Sequence, residues 1–256
     1  IDRGAIGVGW VVTFPNKNRI TANGDQAFAD ALSQAPSVLA MFENDKGIYP
    51  KTTGTVILGE DQGGTLATGV TQNIPILANS ANQGIAIARP EVDSLVRRLP
   101  LLLRTPDGWV PAFGTEVLKI LAGASTYVIK TNDNGLEEIR VRGLPPVPVD
   151  SLGRKWISWV DTPQTDLQEM NVNGKFVFIG FTAKGIMPQL ATPVGFLEPH
   201  KIQTALAESI LIENSPYVPD YAIAIEILFF LIFVSLTWIA LNVLGVTNGI
   251  LTGVGI

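Results

Sequence analysis

The stretch KFVFIGFTAKGIMPQLATP (175–193) sets Gly180 and Gly185 at the spacing of a phosphate cradle, with Thr182 and Lys184 between them. In such a cradle a strand opens into a loop whose backbone N–H groups surround phosphate oxygens, and a lysine and a hydroxyl complete the shell. The chemistry needs Lys and then Ser or Thr directly after the second glycine, but Ile186 and Met187 stand there. Lys184 lies on the wrong side of Gly185, and Pro188 blocks an immediate long helix. The segment is therefore read as a strand end, where Gly180 lets the chain turn and Thr182 bonds to the loop backbone.

Other reactive groups are sparse. The chain has no cysteine, so a disulfide framework, a thiol nucleophile and a thiolate metal site are all excluded. His200 is the single histidine and falls in the first turn of an expected helix. A multi-histidine metal site would need several copies of the chain, and no G-x-S-x-G elbow accompanies the histidine. Gly7-Val8-Gly9 starts like a dinucleotide fingerprint, but Val12 stands where another glycine is required. Arg97 and Arg98 are neighbours in an expected strand and should point to opposite faces. They suit either salt bridges with carboxylates or an anionic ligand. Trp156 and Trp159, oddly spaced, should likewise divide between core and contact surface.

Composition indicates where these residues reside. Of 256 residues, 46% are hydrophobic and only 16% charged, against roughly 25% charged in average soluble domains. Mean hydropathy is +0.29. The net charge of −5 argues against a nucleic-acid partner, which would demand a basic surface. YAIAIEILFFLIFVSLTWIAL (221–241) carries one ionisable residue, Glu226, and is long enough to span a bilayer. Its polar residues are scattered, whereas a core helix shows a polar stripe. VLGVTNGILTGVGI (243–256) reads as a short Gly/Asn turn and the start of a second span. No Lys or Arg follows Lys201, so charge does not orient these spans. The chain starts at Ile rather than Met and is read as a piece of something longer.

The elements that must position the reactive groups read as one α/β domain over 4–216. IGVGWVVTF (6–14) is an expected buried strand, Asn23-Gly24-Asp25 opens a helix, and SVLAMF (37–42) is the next strand, in a parallel crossover. Residues 43–83 are read as long surface loops holding one short strand, TVIL (55–58). GIAIA (84–88) and VRRLPLLLR (96–104) read as two strands, with a turn at Thr105-Pro106-Asp107-Gly108. A helix over 112–122 should bury Phe113, Val117, Leu118 and Leu121. A hairpin follows (125–131 and 137–143), then strands KWISWVD (155–161) and KFVFIGF (175–181). The last helix of the domain starts at Glu198-Pro199 and lays Ile202, Ala205, Leu206 and Ile210 on the sheet.

In their order, these pieces resemble the second class of CHASE domain, a sensory extracellular module associated with cyclases and histidine kinases. The strand Lys175 to Ile179 with Gly180, Thr182, Ala183, Thr192 and Pro193 matches that family's pattern, as do Arg97, Arg98, Pro100 and Leu101. The family's later helix start is altered here to Gly195, Glu198, Pro199, His200 and Ala205. Asp25 to Leu32 and Val38-Leu39-Ala40 follow an earlier family run loosely, and the likeness extends over roughly 4–243.

The resemblance implies an extracytoplasmic, non-catalytic sensory input domain of a bacterial membrane receptor, signalling through C-terminal membrane helices. The alternative is a structural or assembly protein using the fold for protein contacts in an envelope complex. The expected fold is a mixed, partly parallel sheet with flanking helices. Residues 1–216 form the domain, with its N-terminal part missing, 217–243 a transmembrane helix, and 244–256 the start of a second one. Ligand-binding candidates are Arg97, Arg98, Thr182, Lys184 and His200. No metal, cofactor or catalytic residue is expected. Expected partners are membrane lipid, a second copy of the chain or other membrane proteins, and a small-molecule ligand. Pro216 and Pro219 should prevent a rigid helical relay into the membrane.

Overall fold

The structure is a computed structural model describing residues 3–254 apart from 22, 161, 165–170, 184, 213–215 and 217–220, with only the backbone of 243–254 described. The chain divides into two compact units, Ile1–Pro216 and Tyr217–Ile256.

The first unit begins with the expected crossover of β1 (Gly7–Trp10), α1 (Gly24–Ser33) and β2 (Ser37–Ile48). β1 and β2 are parallel, with Val8 opposite Ser37. Ala29 and Leu32 on α1 pack on Leu39, Ile74 and Leu77, closing one face of the sheet.

Residues 43–83 are more regular than their Gly, Thr and Asn content suggests. β2 runs on to Ile48, and β3 (Gly54–Leu58), β4 (Thr65–Leu66), β5 (Val70–Thr71), α2 (Pro75–Ala78) and β6 (Asn82–Ile85) follow. β3 is the strand expected over 55–58, while β4, β5 and β6 are short and find partners well away in the chain, so local pattern does not announce them.

VRRLPLLLR is two strands rather than one, β7 (Arg98–Pro100) and β8 (Leu102–Thr105). Leu101 is the pivot. Its N–H donates to the Gly153 carbonyl while its own carbonyl accepts from Ala112, so the chain changes sheets there. β9 (Gly108–Pro111) pairs with β8 across the expected turn, with Thr105 opposite Gly108. α3 (Phe113–Leu121) follows, buried from Phe113 through Lys119. Leu121, expected in the core, is 39% exposed because the helix ends there.

β10 (Thr126–Asn132) and β11 (Gly135–Val141) form the expected hairpin, flanked by β12 (Val147–Pro148) and β3. The strand expected over 155–161 is reduced to β13 (Arg154–Trp156), which pairs with β7. β14 (Phe176–Ile179) joins β1 in parallel, and β15 (Leu190–Thr192) with β16 (Gly195–Leu197) makes a small hairpin that the sequence reading missed. α4 (Pro199–Leu211) starts with proline in its first turn and buries Ile202, Ala205, Leu206 and Ile210. The fold is mixed α/β, as expected, with β14-β1-β2-β6 parallel and β5 antiparallel on β2.

α5 (Ala222–Val254) constitutes the described helix of the second unit. It continues through the Gly/Asn turn expected after Asn242, because Gly and Asn each cost a helix only about 1 kcal/mol or less, too little to stop one this long. Its 21-residue segment Ala222–Asn242 has mean hydropathy 2.5 in an 18-residue window, none of it buried, and is long and apolar enough to cross a membrane. Ser235 and Thr237 donate to the carbonyls of Leu231 and Phe233, at 2.8 Å each, which satisfies their hydroxyls inside the helix. Ile212 and Pro216 lie outside helix, so α4 does not run on unbroken into α5.

Candidate functional site

β14 ends at Ile179, and Gly180 follows it directly against α4. A β-carbon on Gly180 would sit 2.4 Å from His200 Cγ, 2.5 Å from its Cβ and 2.5 Å from its Nδ1. Gly180 is not among the residues of positive φ. Its lack of a side chain therefore serves close approach of the first turn of α4, not the turn expected from sequence. Thr182 is exposed and makes no hydrogen bond to a described residue, so the expected loop bond is absent among the described residues. Lys184 lies outside the described residues.

Beyond Gly180 the loop borders a cavity of about 180 Å³ lined by Thr182, Ala183, Gly185, Met187, Gln189 and Glu198. Glu198 precedes α4 at its N-cap and is 8% exposed. Gln189 Nε2 donates to its Oε1 at 2.9 Å, and Lys201 Nζ stands 2.8 Å from its Oε2. Burial alone would raise the Glu198 carboxyl, but these two partners outweigh it and hold the pKa at about 2. The cavity wall thus carries a carboxylate that is ionised at neutral pH, with one lysine as counter-charge. His200, half-buried beside it, is pushed below its ordinary pKa by burial, partly offset by Glu198, so the imidazole is neutral at pH 7.

Arg97 and Arg98 are not among the residues lining this cavity. They do not diverge as neighbours in one strand would, because Arg97 precedes β7 and the alternation starts only at Arg98. Both turn to Glu91. Arg98 Nε donates to its Oε1 at 2.7 Å, and Arg97 Nη1 is 3.7 Å from its Oε2. Arg97 also forms a two-pronged pair with Asp93 at 2.9 and 2.6 Å, and the guanidinium holds that carboxyl below its usual range. Arg98 reaches Asp150 at 3.2 Å and lies over the Trp156 ring, 5.2 Å from its centre. Trp159 is the partner that packs on the main core. The salt-bridge reading of the arginines, not the anion-ligand reading, describes these contacts. The Val96 N–H donates to the Ala191 carbonyl at 2.9 Å, tying this segment to the β15–β16 hairpin.

A second polar cluster escaped the sequence reading. Glu116, 2% exposed on α3, accepts from Tyr127 Oη at 2.7 Å and Asn82 Nδ2 at 2.6 Å, with Lys119 Nζ 2.8 Å away. Lys119 also reaches Thr53 Oγ1 at 3.3 Å and lies 5.1 Å from the Tyr127 ring centre. Burial first, then the Glu116 charge, raises the Tyr127 phenol well above its ordinary pKa. The one available signal was the i, i+3 acid–base spacing on a helix. Here it is a strut joining α3 to β6, β10 and the start of β3, with every member partnered. Gln203 does similar work on α4, accepting from the Gly114 N–H at 3.1 Å and donating to the Ile87 carbonyl at 2.8 Å.

The cavity wall presents hydrogen-bonding groups, the Thr182 hydroxyl, the Gln189 amide and the Glu198 carboxylate. Among the described residues no group of three or more His, Asp or Glu could hold a metal ion, and no hydroxyl or carboxylate is hydrogen-bonded to the His200 ring. A family model described as the CHASE2 domain matches residues 2–240. No curated protein and no solved structure matches the chain.

Proposed function

The chain belongs to the CHASE2 domain family, and on that premise we propose that it is the extracytoplasmic input domain of a bacterial membrane receptor, held by α5 and passing its state through the membrane. CHASE2 domains are sensory extracellular domains of receptors. One observation carries the tethered reading. A mixed α/β unit ends with α4 at Leu211, and an apolar helix, unburied over Ala222–Asn242, begins at Ala222. The role is binding, not catalysis. The cavity beside Glu198 is the ligand site, with Thr182 on its wall and His200 behind it, while Arg97 and Arg98 brace the neighbouring segment. Membrane lipid surrounds α5. Because helix is interrupted between α4 and α5, the signal passes as a shift between populations of arrangements, not as the push of one rigid rod.

A second reading has one observation in its favour. The cavity of about 180 Å³ is small beside the roughly 300–1,000 Å³ of drug-sized pockets, which suits protein contacts as the main use of the surface.

The location is tested with a single cysteine at the fully exposed Val92, since the chain has none of its own. On intact cells Val92→Cys reacts with a membrane-impermeant maleimide. Reaction only after lysis would place the domain on the other side of the membrane.

A further inference from the structure

Glu198 is only 8% exposed, yet just one of its carboxylate oxygens is hydrogen-bonded. Oε1 accepts from Gln189 Nε2. Oε2 is buried with no donor aimed at it among the described residues. Lys201 Nζ stands over it at 2.8 Å as a counter-charge but lies outside hydrogen-bonding angles. That ammonium has no other partner among the described residues, and the Lys201 side chain is 25% exposed, so it is free to swing into water. Two more acceptors line the same cavity without a donor. One is the Gln189 side-chain carbonyl, left over because the amide nitrogen must face the carboxylate, and the other is the Thr182 hydroxyl. Ala183 and Met187 supply an apolar stretch of wall.

Resting on the reading of this cavity as the ligand site, we propose that it takes a small primary amine, whose ammonium displaces Lys201 from Glu198. The displacing group has to be positive. Glu198 stays ionised down to a pKa of about 2, and a carboxylate this buried is not left without a cation. The group also has to donate, because every free polar group described on the wall is able to accept. An ammonium brings three N–H donors and no acceptor, which answers Glu198 Oε2, the Gln189 carbonyl and the Thr182 hydroxyl together. An anion meets the repulsion of Glu198, while His200, neutral behind the wall, adds no charge against an amine. A cavity of about 180 Å³ suits a few carbons, laid on Ala183 and Met187, better than a drug-sized molecule. Lys201 is then a built-in competitor that covers the carboxylate until the amine arrives.

The full chain in detergent is titrated with ethylammonium chloride, and binding is read from the rise in Tm. Tetramethylammonium chloride at equal concentration, a cation without N–H donors, controls for charge alone. Ethylammonium raises Tm saturably and the control does not. Thr182→Val, at an exposed side chain that bonds no described residue, raises the half-saturating concentration at least about ten-fold, the worth of one charge-assisted hydrogen bond. Glu198→Gln abolishes the rise. Lys201→Met, which removes the competitor, lowers the half-saturating concentration about ten-fold, as a competitor in place about nine-tenths of the time requires. Unchanged binding in Glu198→Gln or Lys201→Met, or an equal rise with tetramethylammonium, would overturn the proposal. Sodium acetate and D-glucose are titrated in the same way. A rise with either that Thr182→Val weakens would overturn the amine but keep the cavity as the ligand site. No Thr182-dependent rise with any of the three probes would remove the cavity reading as well.

Discussion

Replacing Gly180 by alanine isolates the contact on which the placement of α4 depends. The backbone there is accessible to any residue, so the substitution carries no conformational strain of its own. The added methyl must displace His200 atoms at 2.4 to 2.5 Å, well inside contact distance. Overpacking of this kind costs about 1–3 kcal/mol, which for a chain of this size lowers Tm by about 2–12 °C. Unfolding of the full chain in detergent, followed by intrinsic fluorescence, reads the loss. A double-mutant cycle sharpens it. His200→Ala retains the Cβ that lies 2.5 Å from the new methyl and restores only part of the stability. His200→Gly removes all three crowding atoms, so Gly180→Ala should cost nothing further in that background. Equal stability of Gly180→Ala and the parent, or complete rescue by His200→Ala, would refute the reasoning.

Lys119→Met leaves the Glu116 carboxylate buried without its cation and should cost about 3–5 kcal/mol in urea unfolding, whereas Lys130→Met, which breaks the solvent-screened pair with Glu137, should leave the urea midpoint close to that of the parent. Similar losses for the two would remove the case for a buried strut. The Glu198 carboxyl drops from 4.5 to about 2 on folding, so its contribution is complete above pH 4.5 and is lost as the pH falls toward 2, where the unfolded chain binds the proton first. Glu198→Gln should flatten that part of the stability profile, measured by thermal unfolding between pH 5 and 2, and an unchanged slope would contradict the assignment.

Elements whose partners are near in sequence were legible. The β1-α1-β2 crossover, the β8–β9 turn and the β10–β11 hairpin follow from apolar runs and turn residues. What escaped is decided by distant partners. Nothing local to Leu101 shows that it bonds Gly153 and Ala112 and so divides one apolar run between two sheets. The type of Gly180 stands out in the sequence but its reason does not, since only the arrival of α4 makes its bareness necessary. Around the cavity, residue type points to Thr182 and His200, while Glu198 reads from sequence only as a helix start. Its ionised state rests on Gln189 and Lys201, one of which comes from another element. Arg97 and Arg98 look alike in sequence, and the fold binds both to one acidic loop.

The tether is tested most directly by fractionating cells that express the full chain. After alkaline carbonate washing the chain remains with the membranes, and the same chain ended at Pro216 moves to the soluble fraction. Recovery of the full chain dissolved in detergent-free buffer would contradict the assignment of α5 to lipid, and with it the receptor.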